Sequence, residues 1–176
     1  MLRPEIRIRP FTQADFAAVL AWFPTEAALV QWGGPDLVHP LDAAQLERML
    51  AENQTHPPKR ALWTGLLEQT VAAHAQVALD PRHGVARLAR IGIAPACRGQ
   101  GLAVPFLTRV IDQVFADPGY ERLELNVYTF NAAAIRTYRR LGFTQEGVRR
   151  SSVRVGDERW DTAMFGLLRS ERPTAA

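Results

Sequence analysis

The sequence contains a single cysteine, Cys97, and no apolar run long enough to cross a bilayer. One cysteine cannot form a disulfide within the chain, and this usage is compatible with a reducing compartment. A membrane-spanning helix needs about 20 consecutive apolar residues, and the opening MLRPEIRIRP alternates charged and aliphatic residues, unlike a signal peptide. We therefore expect a cytoplasmic protein without a membrane partner.

Lysine is almost absent, because Lys59 is the only lysine among 21 basic residues, which face 18 acidic ones for a net charge of +3. The densest basic segment, VRRSSVR at residues 148 to 154, is followed by the acidic residues of GDERWD. A nucleic-acid-binding protein usually carries a continuous basic stripe, and none is visible here. We expect no nucleic-acid partner.

The apolar pattern predicts strands and helices in alternation. Residues 5–9 alternate as a first strand, and RALWTGLLE, TVAAHAQVALD and VARLARIGIA follow one another as an antiparallel meander. Helical stripes surround these strands, the clearest being Phe106, Leu107, Val110 and Ile111. No repeat or linker interrupts the chain, so we predict one α/β domain over residues 1–176.

The segment RIGIAPACRGQGLAVPFL passes from a strand to a helix through Gly99 and Gly101. Glycines at such a passage let the backbone approach a ligand, and the first N–H groups of a helix are suited to phosphate. Arg98 adds a positive charge. If the helix begins at Gly101, Pro105 removes a hydrogen bond from its first turn.

Of three known nucleotide-binding patterns, two do not fit this loop. A Walker loop requires a lysine after the glycines, which is absent, and a dinucleotide fingerprint requires a small residue where Val104 stands. The pattern [RQ]-x-x-G-x-[GA] fits Arg98, Gly101 and Ala103 at every position. It resembles the coenzyme A loop of the GNAT superfamily of N-acetyltransferases.

A second segment, NVYTFNAAAIRTYRRLGF, resembles the other hallmark of that family, N-x-x-A-x-x-x-Y-x-x-x-G-F. Asn131, Ala134, Tyr138, Gly142 and Phe143 fall in register. The ending, from GFTQEGV to the final strand, resembles the RimJ/RimL branch, and the resemblance covers about residues 85 to 171. It implies a mixed, mostly antiparallel twisted sheet of about seven strands, with a splayed parallel pair at the cofactor and four or so flanking helices.

The resemblance also implies acetyl-CoA as cosubstrate, no metal, and direct transfer of the acetyl group to a primary amine. The residues that it places at the cofactor lie on the fourth strand, in the glycine loop and at the following helices: Ile91, Gly92, Ile93, Arg98, Gly99, Gln100, Gly101, Leu102, Ala103, Asn131 and Tyr138. Gly92 is the residue where we expect a β-bulge.

Tyr138 is the candidate general acid, although it could instead be a packing aromatic beside Ile135 and Leu141. The base is less evident, because Arg87 stands where many relatives have a glutamate, and a guanidinium cannot accept a proton at neutral pH. Glu124 is the candidate base, with His83, His74 or a water chain as alternatives. Cys97 lacks the partners of a covalent mechanism.

An amine substrate is a cation, so carboxylates or aromatic faces should receive it. Glu26, Trp32 and Asp36 are the substrate candidates, and Trp160 and Asp161 of the closing hairpin are further ones. The branch implies a protein N-terminus, while small amines, polyamines, amino acids and aminoglycosides stay open. The chain could be a monomer or a homodimer. The alternative function is a non-catalytic acyl-CoA-binding sensor, which Arg87 favours.

Overall fold

A computed structural model describes residues 5–172, which form one seven-stranded sheet in the order β1-β2-β3-β4-β5-β7-β6. Every neighbouring pair is antiparallel except β4 and β5, which are parallel. The predicted α/β fold with one parallel pair is therefore confirmed. The strands are β1 (Ile6–Pro10), β2 (Arg60–Leu67), β3 (Thr70–Asp80), β4 (Val85–Ile93), β5 (Arg122–Tyr128), β6 (Thr144–Val155) and β7 (Glu158–Leu168).

Five α-helices accompany the sheet, in agreement with the four or so expected. They are α1 (Phe16–Leu20), α2 (Glu26–Gly33), α3 (Ala43–Asn53), α4 (Ala103–Ala116) and α5 (Ala132–Arg140). The segment between β1 and β2 divides into three short helices, and Thr25 and Asp42 cap the second and third.

The helices cover both faces of the sheet with apolar side chains. The stripe of α4 packs with Leu88, Leu125 and Phe165 in the main core, while α1, α2 and α3 form a second cluster on the opposite face. Residues 72 to 77 of β3 are buried throughout, since helices cover both faces of this central strand. Burial of large side chains such as Phe106 contributes about 1.5–3 kcal/mol each.

The parallel pair separates along its length. Pairing of β4 with β5 runs from Val85 and Arg122 to Leu88 and Leu125, although β4 continues to Ile93 and β5 to Tyr128. Within residues 5–172, the last parts of these two strands have no pairing with each other. The sheet is therefore open between the ends of β4 and β5.

A β-bulge on β4 accompanies this opening. Gln76 is opposite Ala89 and His74 is opposite Gly92, so Ala75 faces two residues, Arg90 and Ile91. The backbone of Arg90 has φ +49°. The prediction that Gly92 forms the bulge is therefore wrong, because the left-handed residue is Arg90. Gly92 instead accommodates two indole rings, since an added Cβ would lie 3.3 Å from Trp32 Nε1 and 3.4 Å from the Trp22 ring.

None of the helices formed by residues 5–172 has the length and apolar character needed to cross a membrane.

Candidate active site

The loop between β4 and α4 depends on two glycines in the left-handed region. Gly99 and Gly101 both have φ +75°, a conformation that disfavours any residue with a side chain. A Cβ added at either position would meet no atom within 4 Å. The glycines are therefore required by backbone conformation, and their outer side is left open to a ligand.

The start of α4 presents backbone N–H groups without partners. The first helical hydrogen bond runs from Phe106 N to Leu102 O, at 3.0 Å. Among the backbone hydrogen bonds of the described chain, none uses an N–H of residues 100 to 104. These groups carry the positive end of the helix dipole, which makes the helix start suitable for an anion such as a pyrophosphate.

Pro105 does not disrupt this helix. Because α4 begins at Ala103, two residues later than expected, Pro105 lies in the first turn, where the N–H would have no helical partner in any case. The expected loss of a hydrogen bond to Gly101 is therefore wrong. The prolyl ring fits this position without cost to the helix.

Two polar side chains of the loop stabilise its conformation through hydrogen bonds to backbone carbonyl groups. Arg98 Nε donates to Ile93 O at 3.2 Å, and Gln100 Nε2 donates to Ala96 O at 3.1 Å. Both side chains are exposed, whereas Leu102 is buried in the main core. The loop is thus anchored at Leu102 and held in shape by Arg98 and Gln100, while the N–H groups of residues 100 to 104 have no backbone partner in the described chain.

Asn131 begins the helix on the other side of the opening. Its Oδ1 accepts a hydrogen bond from Ala134 N at 3.2 Å, so the predicted cap of α5 is confirmed. Asn131 N in turn donates to Tyr128 O, at 2.9 Å, directly after β5 ends. The cap therefore lies at the end of the strand that lines the opening.

Tyr138 is buried two helical turns further along α5, at 7% exposure. Its ring lies 6.1 Å from Phe143 and 6.4 Å from Phe165, so it does pack in the core. Burial raises the pKa of its hydroxyl well above the ordinary value of 10. The phenol is consequently protonated at neutral pH, and within residues 5–172 no other group donates to it or accepts from it.

Glu124 is engaged in ion pairs at the closed end of the parallel pair. It is opposite Arg87 in the register, and its Oε1 accepts from Arg87 Nε at 2.8 Å and from Arg87 Nη2 at 2.5 Å. Its Oε2 accepts from Arg122 Nε at 3.2 Å. Both oxygens are thus occupied by hydrogen bonds from guanidinium groups, which argues against the expected role of Glu124 as base.

Of the two candidate histidines, His83 lies away from the opening, whereas His74 is buried on β3 opposite Gly92 of β4. His83 is exposed in the turn before β4, at the opposite end from the separated strands, and its Nδ1 is 2.9 Å from Asp80 Oδ2. His74 is fully buried beneath Phe11, with a ring-centroid distance of 4.5 Å, and burial lowers its pKa to about 3. The structure brings neither of them to the loop.

The three substrate candidates divide between core and surface. Trp32 is buried, stacks on Phe23 with centroids 4.4 Å apart, and donates from Nε1 to Arg90 O at 2.8 Å. Glu26 is exposed at the first residue of α2. Asp36 is exposed after α2, and the pKa of Tyr128 is raised first by burial and then by the charge of Asp36.

An aromatic cluster stands at the end of β5. Tyr128 stacks on Phe130 with centroids 5.8 Å apart, and Trp160 meets each of them edge-on at 4.9 Å. Trp160 is buried while Phe130 is 51% exposed. Asp161, in contrast, accepts a hydrogen bond from Ser151 N at 2.6 Å and holds the irregular part of β6.

Two features were missed from the sequence. Asn126 is exposed at the point where β4 and β5 separate, where it lines a groove together with Arg149 of β6. Alternation along β5 places Asn126 on the same face of the sheet as Glu124 and Tyr128. The sequence pattern was therefore sufficient to identify Asn126 as a candidate site residue. Arg149 could not be identified from the sequence, because its position depends on the register of β6 against β7.

Comparison with known proteins assigns the family. A family profile described as "Acetyltransferase (GNAT) domain" matches residues 5–144. The chain is 32% identical over 121 residues to the [ribosomal protein bS18]-alanine N-acetyltransferase of Escherichia coli K12, a match that covers 69% of this chain and 78% of the other. The chain therefore belongs to the GNAT acetyltransferase family.

Other similar proteins match a shorter part of the sequence or resemble this chain mainly in structure. The SPbeta prophage-derived uncharacterized N-acetyltransferase YokL of Bacillus subtilis is 32% identical over 74 residues, 42% of each chain. The chain thus spans less than half the length of this relative. The structure of a Vibrio cholerae spermidine N-acetyltransferase in complex with CoA and spermine has a TM-score of 0.81 at 19% identity, covering 94% of this chain and 96% of the other. This likeness concerns the fold.

Proposed function

We propose that the protein is an acetyl-CoA-dependent N-acetyltransferase of the RimJ/RimL-like branch, which transfers an acetyl group directly to a primary amine. The observation that carries this proposal is the row of backbone N–H groups from residue 100 to residue 104, next to the opening between β4 and β5. Membership of the GNAT family supports the same activity.

The residues around the opening fit the parts of the cosubstrate. The loop amides and Arg98 suit a pyrophosphate, which is a dianion. The unpaired edge of β4 at residues 91 to 93 offers backbone groups to the amides of a pantetheine arm, and Asn131 borders the same opening. When bound, acetyl-CoA supplies the acetyl group as an activated thioester.

Tyr138 is the residue that we assign to hold a proton for the leaving thiolate. Its hydroxyl is protonated at neutral pH because burial raises its pKa. A thiolate needs only a weak acid, since its own pKa is about 8.5. The buried ring also fixes the hydroxyl in one place, which favours proton donation.

No carboxylate of the described chain occupies the usual position of the base, since Arg87 stands there and binds Glu124. We propose that the acceptor amine loses its proton to water in the groove beside Asn126. Direct transfer without a covalent enzyme intermediate fits this arrangement, because within residues 5–172 Cys97 has no hydrogen-bonded histidine or carboxylate.

The second candidate function is a non-catalytic sensor of acyl-CoA, which the Arg87–Glu124 pair favours by removing a base. Thiol release from acetyl-CoA separates the two, and it should be measured over a panel of peptide N-termini and small amines. An enzyme releases CoA in proportion to the acetylated product. Tight binding of CoA by calorimetry without thiol release from any acceptor would favour the sensor and contradict the proposal.

A further inference from the structure

A groove of about 260 Å³ lies at the point where β4 and β5 separate. It is on the face of the sheet that carries Tyr128 and α2, because Glu124, Asn126 and Tyr128 alternate onto that face and Tyr128 packs against Val30. The stripe of α4 packs in the core on the opposite face. An acceptor that meets the opening from the side of α2 therefore passes this groove.

The groove has two glutamates and three arginines, and most of them are paired with one another. Arg87 binds Glu124, whose second oxygen accepts from Arg122. Arg122 also binds both oxygens of Glu146, at 2.7 and 2.5 Å. These four side chains form a neutral chain of ion pairs, so the carboxylates are already neutralised and cannot serve as sites for a cationic ligand.

Arg149 adds a third guanidinium to the groove without a counter-charge. It lies opposite Thr162 in the register of β6 against β7 and lines the groove with Asn126. Across residues 5–172, neither an ion pair nor a hydrogen bond engages its side chain. The groove consequently has a net charge of one positive unit and an exposed amide that can donate.

We propose that the acceptor is a primary amine that also carries a carboxylate, and that Arg149 and Asn126 bind this carboxylate. The proposal rests on the proposed acetyltransferase activity. A guanidinium recognises a carboxylate through two parallel hydrogen bonds. A polyamine would bring several positive charges toward Arg149 and find both glutamates occupied, so the groove disfavours it. The carboxylate can be that of an amino acid or an acidic side chain near a peptide N-terminus.

Pairs of acceptors that differ only in having a carboxylate or an amide test the proposed carboxylate site on the full chain. The pair alanine and alaninamide tests the α-carboxylate, and the pair Ala-Glu-amide and Ala-Gln-amide tests the side-chain carboxylate, with spermidine as the polycation. Thiol release from acetyl-CoA gives kcat/KM for each. We expect the acid of at least one pair to exceed its amide by about tenfold, as for a hydrogen-bonded charge, and to exceed spermidine as well.

Substitutions assign the effect to Arg149. Arg149→Gln should abolish the preference for the acid, mainly through KM, and Arg149→Lys should retain part of it. Arg154→Gln is the matched control, because it removes the same charge from the same strand, where Arg154 Nε bonds to Gly156 O at 2.9 Å in the hairpin turn. This control should keep the full preference.

Binding of the acetylated products provides a readout that does not need turnover. N-acetylalanine and N-acetyl-Ala-Glu-amide should bind the protein more tightly than their amides in calorimetry, and Arg149→Gln should remove the difference. Equal kcat/KM for acids and amides, or a preference for spermidine, would overturn the proposal while leaving the acetyltransferase activity intact. Tight CoA binding without thiol release from any acceptor would overturn the acetyltransferase activity. Equal binding of the acetylated acids and their amides would overturn the carboxylate site, whether or not the protein shows acetyltransferase activity.

Discussion

The indole nitrogen of Trp32 donates a hydrogen bond to the carbonyl oxygen of Arg90 at 2.8 Å. Arg90 is the left-handed residue of the bulge on β4, and its guanidinium binds Gln76 Oε1 at 3.0 Å. The bond thus connects α2 to the part of β4 that borders the opening between β4 and β5. We infer that Trp32 positions β4 beside the opening, and its burial at 8% exposure argues against the predicted role in substrate binding.

Replacement of Trp32 by phenylalanine should impair the cofactor site while preserving the stacking on Phe23. Loss of one hydrogen bond costs about 1 kcal/mol, and we expect a several-fold rise in KM for acetyl-CoA. Trp63→Phe is the control, because Trp63 Nε1 is buried without a hydrogen-bond partner in the described chain. If both variants alter KM equally, the Trp32–Arg90 bond has no special role.

Gly101→Ala should weaken CoA binding through the backbone of the loop. An alanine at φ +75° costs about 1–2 kcal/mol, and relief of that strain would turn the loop amides away. Gly156→Ala introduces comparable strain in the hairpin turn, where φ is +57° and space is also open. Both variants should lose similar thermal stability, and calorimetry should show weaker CoA binding for Gly101→Ala alone.

Tyr138→Phe should slow turnover by about 100-fold, as expected for loss of a general acid. CoA affinity should be unchanged, because the ring and its packing are retained. Tyr120→Phe, at another buried tyrosine whose pKa burial raises, serves as the control. A 100-fold loss of CoA affinity in place of kcat would contradict the assignment.

The same assignment fixes a pH dependence. A phenol donates only while protonated, which is the state below its pKa, and burial raises the pKa of Tyr138 above 10. Deprotonation of Tyr138 should therefore cause no decline of kcat between pH 7 and pH 9. A decline in that interval that disappears in Tyr138→Phe would show that the hydroxyl titrates much lower.

Glu124→Gln should leave kcat within about twofold of the original value, because the carboxylate is bound to Arg87 and Arg122 and takes no proton in the reaction. The exposed fractions are 25% for Glu124 and 55% for Arg87, so the lost pairing should cost only about 1 kcal/mol of unfolding free energy. Chemical denaturation and steady-state kinetics measure the two quantities. A fall of kcat by 100-fold would restore Glu124 as the base.

Features that depend on nearby residues could be predicted from the sequence. The left-handed glycines of the loop and the Asn131 cap follow from residue types within a few positions of each other. The ion pair of Glu124 with Arg87 could not be predicted, because Arg87 is 37 residues away and meets Glu124 only through the register of β4 with β5.

The same limit applies to Trp32 and Arg90, which are 58 residues apart. The period of an amphipathic helix indicates that Trp32 faces inward, but it does not indicate which carbonyl the indole meets. The position of the bulge is equally a property of two strands, since it depends on how Ala75 of β3 is shared between Arg90 and Ile91. The presence of a glycine on β4 predicts a bulge at Gly92, whereas the bulge is at Arg90 and Ile91.

Amide hydrogen exchange with and without CoA tests the central claim most directly. The N–H groups of residues 100 to 104 lack partners in the free protein, so they should exchange rapidly and become strongly protected when CoA is added at saturation. Protection confined to other segments, with these five residues exchanging as before, would contradict the assignment of the loop as the phosphate-binding site.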